Sequence, residues 1–317
     1  MSVLITGGGG FIGSNLARYL LKGDLLGDIR VLDDFSTGYR HNLDGIDAVV
    51  TEGSILDYQT LVDAVDGVDA IVHLAAIPSV PRSIANPRAS HDANATGTLN
   101  VLEAARQAGV EQVIVASSSS VYGSNPRLPK SEYDWTRPMS PYAVSKLATE
   151  GYALAYQFSY GLKTLAFRFF NVFGPGQAPG HAYAAVIPQF LDAALRGQPA
   201  EVYGDGLQSR DFTFVDTVCA VIQDALVRTV HSTDPVNLAF GTNTTLLGLL
   251  DELEAHLGSK IDRRFLEARA GDVRASQADP SRLRELFPDI EPTPLSDGIA
   301  ATVAWFHQQA ATEGKGA

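Results

Sequence analysis

Residues Val3-Leu4-Ile5-Thr6-Gly7-Gly8-Gly9-Gly10-Phe11-Ile12-Gly13 decide the fold of this chain. A short aliphatic run stops at a glycine cluster, and an amphipathic stretch, Phe11–Leu21, begins directly after it. Strand, glycine turn and helix in that order point backbone N–H groups at the helix N-terminus towards a pyrophosphate. The four glycines fit GxGxxG on Gly8, Gly10 and Gly13, or GxxGxxG on Gly7, Gly10 and Gly13, and the sequence leaves both registers open. A flexible turn is the plainer alternative. Against it stands Asp33, 20 positions after Gly13 and at the end of the next strand, Ile29–Asp33. A carboxylate there accepts hydrogen bonds from adenosine ribose hydroxyls, and with Asp34 beside it a 2'-phosphate would be repelled. The expected cofactor is therefore NAD.

The same alternation continues outward. Segments 48–52, 70–75, 112–117 and 164–169 read as further strands, and Val3–Thr6 and Ile29–Asp33 make six. Tyr58–Val65, 93–108 and Pro141–Tyr160 show apolar residues at three- and four-residue spacing and read as helices. The fold class is α/β, a doubly wound parallel Rossmann sheet. After Asn171 the rhythm weakens and glycine and proline thicken over 173–180. Helices at 185–196, 214–228, Leu246–Leu257 and 295–309, with short strands at 201–203 and 236–239, make a smaller mixed C-terminal lobe. The expected division is a dinucleotide-binding domain over 1–171 and a substrate lobe over 172–317, with some strands and helices crossing between them.

At 317 residues with 45% apolar content, the chain can bury a large core. The net charge of -12 argues against nucleic acid as a partner. It does not argue against a small anion, because arginines aimed into a cleft outweigh screened surface carboxylates. No run approaches the roughly 18 apolar residues that span a bilayer. Met1 leads almost at once into the first strand, so neither a membrane anchor nor a signal peptide is expected. The single cysteine, Cys219, excludes an internal disulfide framework, and without a Cys/His cluster no metal site is proposed. A cytoplasmic location follows as the expectation.

Tyr142 and Lys146 lie four residues apart at the start of a helix, on one face. An ammonium there stabilises a phenolate, so the tyrosine's pKa is expected to fall from about 10 towards neutrality and its oxygen to accept a proton. The run Ser117-Ser118-Ser119-Ser120-Val121-Tyr122-Gly123 sits at a strand end, where open α/β sheets place their ligands. Ser118 suits a short donor to a developing oxyanion, whereas Ser117 reads as strand-end chemistry.

With these residues in place the chain resembles the extended short-chain dehydrogenase/reductase family, and within it the NAD-dependent sugar epimerases and dehydratases, most like the UDP-hexose 4-epimerases. Further motifs carry the resemblance: His73-Leu74-Ala75-Ala76, Asn94-Ala95-Thr96-Gly97-Thr98, Arg168-Phe169-Phe170-Asn171, Tyr203-Gly204-Asp205-Gly206 through Arg210-Asp211-Phe212, and Arg269-Ala270-Gly271-Asp272. The resemblance implies that Tyr142 is the base, that Lys146 tunes it and holds the nicotinamide ribose, and that Ser118 bonds the sugar hydroxyl being oxidised. It implies NAD contacts from Gly7, Gly10, Phe11, Ile12 and Gly13, from Asp33, Ser36 and Gly38, and from Ser54 and Ile55. Leu74, Ala75 and Ala76 complete that set, with Asn94 supporting the nicotinamide side. The UDP-sugar ligands implied are Ser118, Ser119, Asn171, Arg210, Arg269, Asp272 and Ser276. A homodimer through helices 93–108 and 142–160 is implied as well.

Fold does not select the reaction. Dehydratases of this group carry an Asp-Glu pair directly after the catalytic hydroxyl residue, where this chain has Ser119-Ser120. A serine of ordinary pKa replaces neither a carboxylic acid nor its conjugate base, so 4-epimerisation of a UDP-hexose through a transient 4-keto sugar is the expectation. Another NAD-dependent nucleotide-sugar dehydratase or reductase is an alternative. So is a non-catalytic dinucleotide sensor, against which Ser118, Tyr142 and Lys146 argue. The small Ser276 is associated with N-acetyl sugars, which leaves glucose/galactose, N-acetylhexosamine and glucuronate substrates open. Arg82 and His181 are the candidate contacts for an acid group, although each reads more simply as a loop surface residue. Two departures from the group's pattern are Ser54, in place of an acidic residue at the adenine, and Glu267, in place of a proline before Arg269.

Overall fold

The protein is described by a computed structural model covering residues 1–23, 27–179, 185–268 and 273–313, the side chains of 311–313 excepted. Seven strands form its central sheet: β1 (Val3–Thr6), β2 (Ile29–Asp33), β3 (Val49–Glu52), β4 (Ala70–His73), β5 (Gln112–Ser118), β6 (Lys163–Phe169) and β7 (Val236–Leu238). Their order is β7-β6-β5-β4-β1-β2-β3, and every pair is parallel. The strands are aliphatic without polar alternation because both faces are covered. Val3 and Ile5 enter one core cluster with Val72 and Ile114, while Leu4, Ile71, Val113 and Val115 enter the other.

The helices divide accordingly. On the first face α1 (Phe11–Leu21) packs against α6 (Val215–Val227); on the second lie α2 (Tyr58–Val65), α3 (Gly97–Ala108) and α4 (Pro141–Tyr160). Helices α5 (Val186–Leu195), α7 (Leu246–Leu257) and α8 (Leu295–Glu313) complete the C-terminal part. The segment expected as one helix over 93–108 is α-helical only from Gly97, and Asp92–Thr96 forms a wider π turn before it.

Segment 236–239, expected in the second lobe, instead supplies β7 beside β6. Strand pattern in a sequence carries no information about the partner strand, and here buried polar contacts help to fix it. The Asn237 amide donates to the Lys130 carbonyl and accepts from the Tyr122 hydroxyl, and its backbone N–H donates to Glu132. The chain past 171 therefore returns into the Rossmann sheet. Its small remaining sheets include Ser209–Arg210 held between Thr244–Thr245 and Ala275–Ser276.

Helix α4 positions the chemistry, and its ends are well specified. Ser140 caps its start by accepting the Ala143 N–H at 3.1 Å, and Pro141 occupies the first turn. Gly161, at φ 72°, ends it by donating to the Gln157 carbonyl. Tyr142, Lys146 and Glu150 thus follow one another at successive turns along one side.

Candidate active site

A cavity of about 870 Å³ opens at the carboxyl ends of the central strands. After β1 it is lined by Gly7, Gly10, Phe11, Ile12 and Gly13. Gly7 has φ 75°, and a Cβ on it would stand 2.6 Å from the Ala75 nitrogen. A Cβ on Gly13 would press into the Gly7 carbonyl oxygen and stand 2.7 Å from Gly8 Cα. Gly10 donates to the Gly7 carbonyl and caps α1. A Cβ on Gly8 would meet Val31, and neither Gly8 nor Gly9 lines the cavity. The glycines that line the cavity are thus Gly7, Gly10 and Gly13, one of the two registers that the sequence left open.

After β2 come Asp33, Ser36 and Gly38, and after β3 Ser54 and Ile55. The Asp33 carboxylate accepts the Gly9 N–H at 2.8 Å and the Phe35 N–H at 2.7 Å. Burial raises its pKa, and these two bonds pull it back. Arg40 lies over the Phe35 ring with its guanidinium paired to Glu52. Leu74, Ala75 and Ala76 form the wall after β4.

Ser118, Ser119, Tyr142, Lys146 and Asn171 line the same cavity. Ser118 Oγ accepts both the backbone N–H of Ser120 at 3.2 Å and the Ser120 hydroxyl at 3.0 Å. These two contacts fix Ser118 Oγ in the same cavity wall that carries Tyr142. The expected depression of Tyr142 by Lys146 is not what the structure shows. Burial raises the phenol's pKa, and the hydrogen bond from Ser118 is the influence that lowers it. Lys146 donates to the Ala116 carbonyl at 2.8 Å, and burial lowers its own pKa to about 8. Desolvation penalises both charges in this pocket, an effect that four-residue spacing does not reveal.

Several expected ligands stand elsewhere. Asn94 is buried behind the wall. Its Oδ1 accepts the Ile77 N–H at 2.8 Å and its Nδ2 donates to Ser145 Oγ at 2.9 Å, so it supports the lining without joining it. The Arg210 guanidinium donates to the carbonyls of Ser209 and Val273, and Ser276 pairs with Arg210 in strand register; neither lines the cavity. Arg269, Asp272 and His181 lie outside the described residues.

Three supporting roles were not read from the sequence. Glu150, one turn beyond Lys146, accepts from Ser117 Oγ at 2.8 Å and from Arg168 at 2.7 and 3.0 Å, with both ion-pair side chains 4% exposed. Its signal was the helical spacing after Tyr142 and Lys146, where a glutamate reads as surface. Ser120 orients Ser118. Asp211, fully buried, collects the N–H groups of Gly241, Thr242 and Ala278 and so ties the C-terminal segments to the sheet. Ser117, expected as strand-end chemistry, lines the cavity and donates to Glu150.

Glycine cradle, strand-end carboxylate and Ser-Tyr-Lys constellation thus meet in one cavity, and residues 3–239 match the NAD dependent epimerase/dehydratase family. The chain belongs to that family. It is 36% identical to the UDP-glucose 4-epimerase of Mycolicibacterium smegmatis, over 98% of this chain and 99% of that protein. Among solved structures it is similar to the UDP-N-acetylglucosamine 4-epimerase of Methanobrevibacter ruminantium, with 35% identity, a TM-score of 0.91 and 97% and 98% of the two chains covered. It is also similar to DesIV, a dTDP-glucose 4,6-dehydratase of Streptomyces venezuelae, with 33% identity, a TM-score of 0.90 and 98% of each chain covered. Likeness to both reaction types leaves the choice between them to local chemistry. The residues present fit NAD: Gly7 and Gly13, where a Cβ would collide with neighbouring backbone and break the tight turn, and the buried Asp33 carboxylate at the end of β2, all lining the cavity.

Proposed function

We propose that this family member is a UDP-sugar 4-epimerase acting on a UDP-hexose of the glucose/galactose or N-acetylhexosamine type. The observation that carries the reading is the hydroxyl pair after β5. Where a dehydratase needs a carboxylic acid and a carboxylate, Ser119 lines the cavity and Ser120 is committed to orienting Ser118.

Gly7, Gly10 and Gly13 would hold the NAD pyrophosphate, Asp33 the adenosine ribose, and Lys146 the nicotinamide ribose. Bound NAD supplies the reversible two-electron oxidation of the C4 carbinol. Tyr142 takes the C4 hydroxyl proton and later returns it, while Ser118 donates to the same oxygen and stabilises negative charge as it develops. Lys146, fixed to the Ala116 carbonyl, keeps a positive charge near this step below its pKa of about 8. No group in this set is aimed at removing a hydroxyl from C6. Epimerisation then requires only that the 4-keto sugar present its other face before the hydride held by bound NAD would return to C4 and the proton from Tyr142 to its oxygen.

Asn171, which lines the cavity, and Arg210, Arg269, Asp272 and Ser276 from the C-terminal part are proposed for the nucleotide end. The division at 171 is proposed as functional, β7 notwithstanding. A homodimer is proposed through the outer faces of α3 and α4, where Val144, Tyr152 and Phe158 are exposed on α4. No described helix is long and apolar enough to cross a membrane. A cytoplasmic location is proposed from the composition.

The test is incubation of NAD-loaded protein with UDP-glucose, UDP-N-acetylglucosamine and UDP-glucuronate separately, followed by chromatography. A 4-epimer without loss of water is the expected product, and Tyr142→Phe should lower kcat by about 10²–10⁴-fold with NAD still bound. A dehydrated product would overturn the assignment of reaction.

A further inference from the structure

Among the described residues, five charged side chains line the cavity: Asp33, Asp34, Asp92, Arg82 and Lys146. Four have evident constraints. Asp33 accepts two backbone N–H groups, Asp34 accepts the Ser36 N–H at 2.9 Å, Lys146 donates to the Ala116 carbonyl, and Asp92 opens the π turn. No described side chain pairs with the Arg82 guanidinium.

The backbone carrying Arg82 is firmly built. Ser79 Oγ caps the short helix Val80–Ala85 by accepting the Arg82 N–H at 3.2 Å, and the buried Ser83 donates to the Val80 carbonyl at 2.6 Å. Just upstream, Asn94 grips both the N–H and the carbonyl of Ile77 and donates to Ser145 Oγ, which donates to the Tyr142 carbonyl at 2.8 Å. This hydrogen-bonded chain runs from the Arg82 segment to the catalytic tyrosine, and Val80–Ala85 packs directly on α4. Arg82 is thereby tied to the Tyr142 side of the cavity, whereas Asp33 and Asp34 follow β2, two strands across the sheet.

We propose that Arg82 is an oxyanion-binding residue of this cavity, its guanidinium fork gripping two oxygens of the bound ligand. Two features support this: the only other lining cation, among the described residues, is Lys146, which is held on the Ala116 carbonyl beside Tyr142, and the remaining charged lining side chains are the carboxylates of Asp33, Asp34 and Asp92, so Arg82 is the cation placed to offset a ligand's negative charge. The proposal rests on the nucleotide-sugar reading of the cavity. The oxyanion has two possible sources: a diphosphate, from NAD or from the nucleotide sugar, or a carboxylate on the hexose ring.

Arg82→Met and Arg82→Lys test it in two titrations. The first measures NAD affinity of nucleotide-free protein. The second measures binding of UDP-glucose and of UDP-glucuronate to NAD-loaded protein. Arg82→Met should weaken at least one ligand by about tenfold or more, and Arg82→Lys should recover part of that by keeping the charge without the fork. Weaker NAD binding, or equal weakening of both sugars, assigns the oxyanion to a diphosphate. Selective loss of UDP-glucuronate assigns it to the ring carboxylate. Wild-type affinity for all three ligands in either variant, with the circular dichroism unchanged, overturns the proposal. Failure of the epimerase reading would show separately, as wild-type protein that binds these ligands and turns none of them over.

Discussion

His73 should make the fold lose stability in acid by an amount that can be isolated. Its ring is buried between β1 and α3, with Nδ1 2.7 Å from Thr6 Oγ1 and Nε2 3.0 Å from Thr98 Oγ1. Thr98 donates its hydroxyl proton to the Asn94 carbonyl at 2.5 Å, so Nε2 must be the ring donor and Nδ1 the acceptor of the Thr6 proton. A second proton would charge a ring cut off from water and near Lys146. Burial first, and that ammonium second, lower its pKa from 6.5 to about 3. The unfolded chain binds a proton through that window and the folded chain does not, so stability is complete above pH 6.5 and falls as pH drops towards 3. The slope is about 1.4 kcal/mol per pH unit, or roughly 2 kcal/mol between pH 6.5 and 5, out of a total of about 5–15 kcal/mol. Carboxylates add slopes of their own, so the readout is a difference. Urea unfolding of the wild type and of His73→Asn should be measured at pH 7.5, 6, 5 and 4.5. The wild type's advantage should shrink by about 1.4 kcal/mol per unit below pH 6. A difference that stays flat across that range would show that the buried ring accepts its proton, and would refute the argument.

Two further perturbations follow from the supporting structure. Glu150→Gln leaves the Arg168 guanidinium buried against Tyr122 without its carboxylate and should cost about 3–5 kcal/mol in denaturant unfolding. Replacing both partners, Glu150→Leu with Arg168→Met, should recover at least half of this, and an equally unstable double variant would contradict the orphaned-charge explanation. Gly13→Ala should weaken NAD binding by about tenfold or more, since its Cβ meets backbone atoms of Gly7 and Gly8. Gly151→Ala, whose Cβ meets nothing within 4 Å, is the matched control, and a fluorescence titration in which both variants bind like the wild type would count against a rigid cradle.

The sequence by itself determined the elements built on local periodicity. Val3–Thr6, the glycine turn and α1 are one continuous signal, and Ser140, Pro141 and Gly161 mark the ends of α4 with cap chemistry that acts within a few residues. The family motifs named part of the cavity wall for the same reason: Gly7, Gly10, Gly13, Asp33, Ser118, Tyr142 and Lys146 each sit at a strand end or in the first turns of a helix, and parallel strands bring their carboxyl ends to one edge.

What only the tertiary structure decided depends on neighbours distant in sequence. The glycine register turned on which glycines face the cavity once β1, β2 and β4 are packed side by side. The place of β7 beside β6 depended on Asn237 meeting Tyr122, Lys130 and Glu132. Glu150 became a buried ion-pair partner only because α4 packs over β6, which carries Arg168. The pKa of Tyr142 went opposite to its spacing from Lys146, because desolvation is set by everything packed around the phenol and not by the helix that carries it. Sequence spacing fixes which side chains can share a face; the dielectric and the hydrogen bonds they experience are fixed by the fold around them.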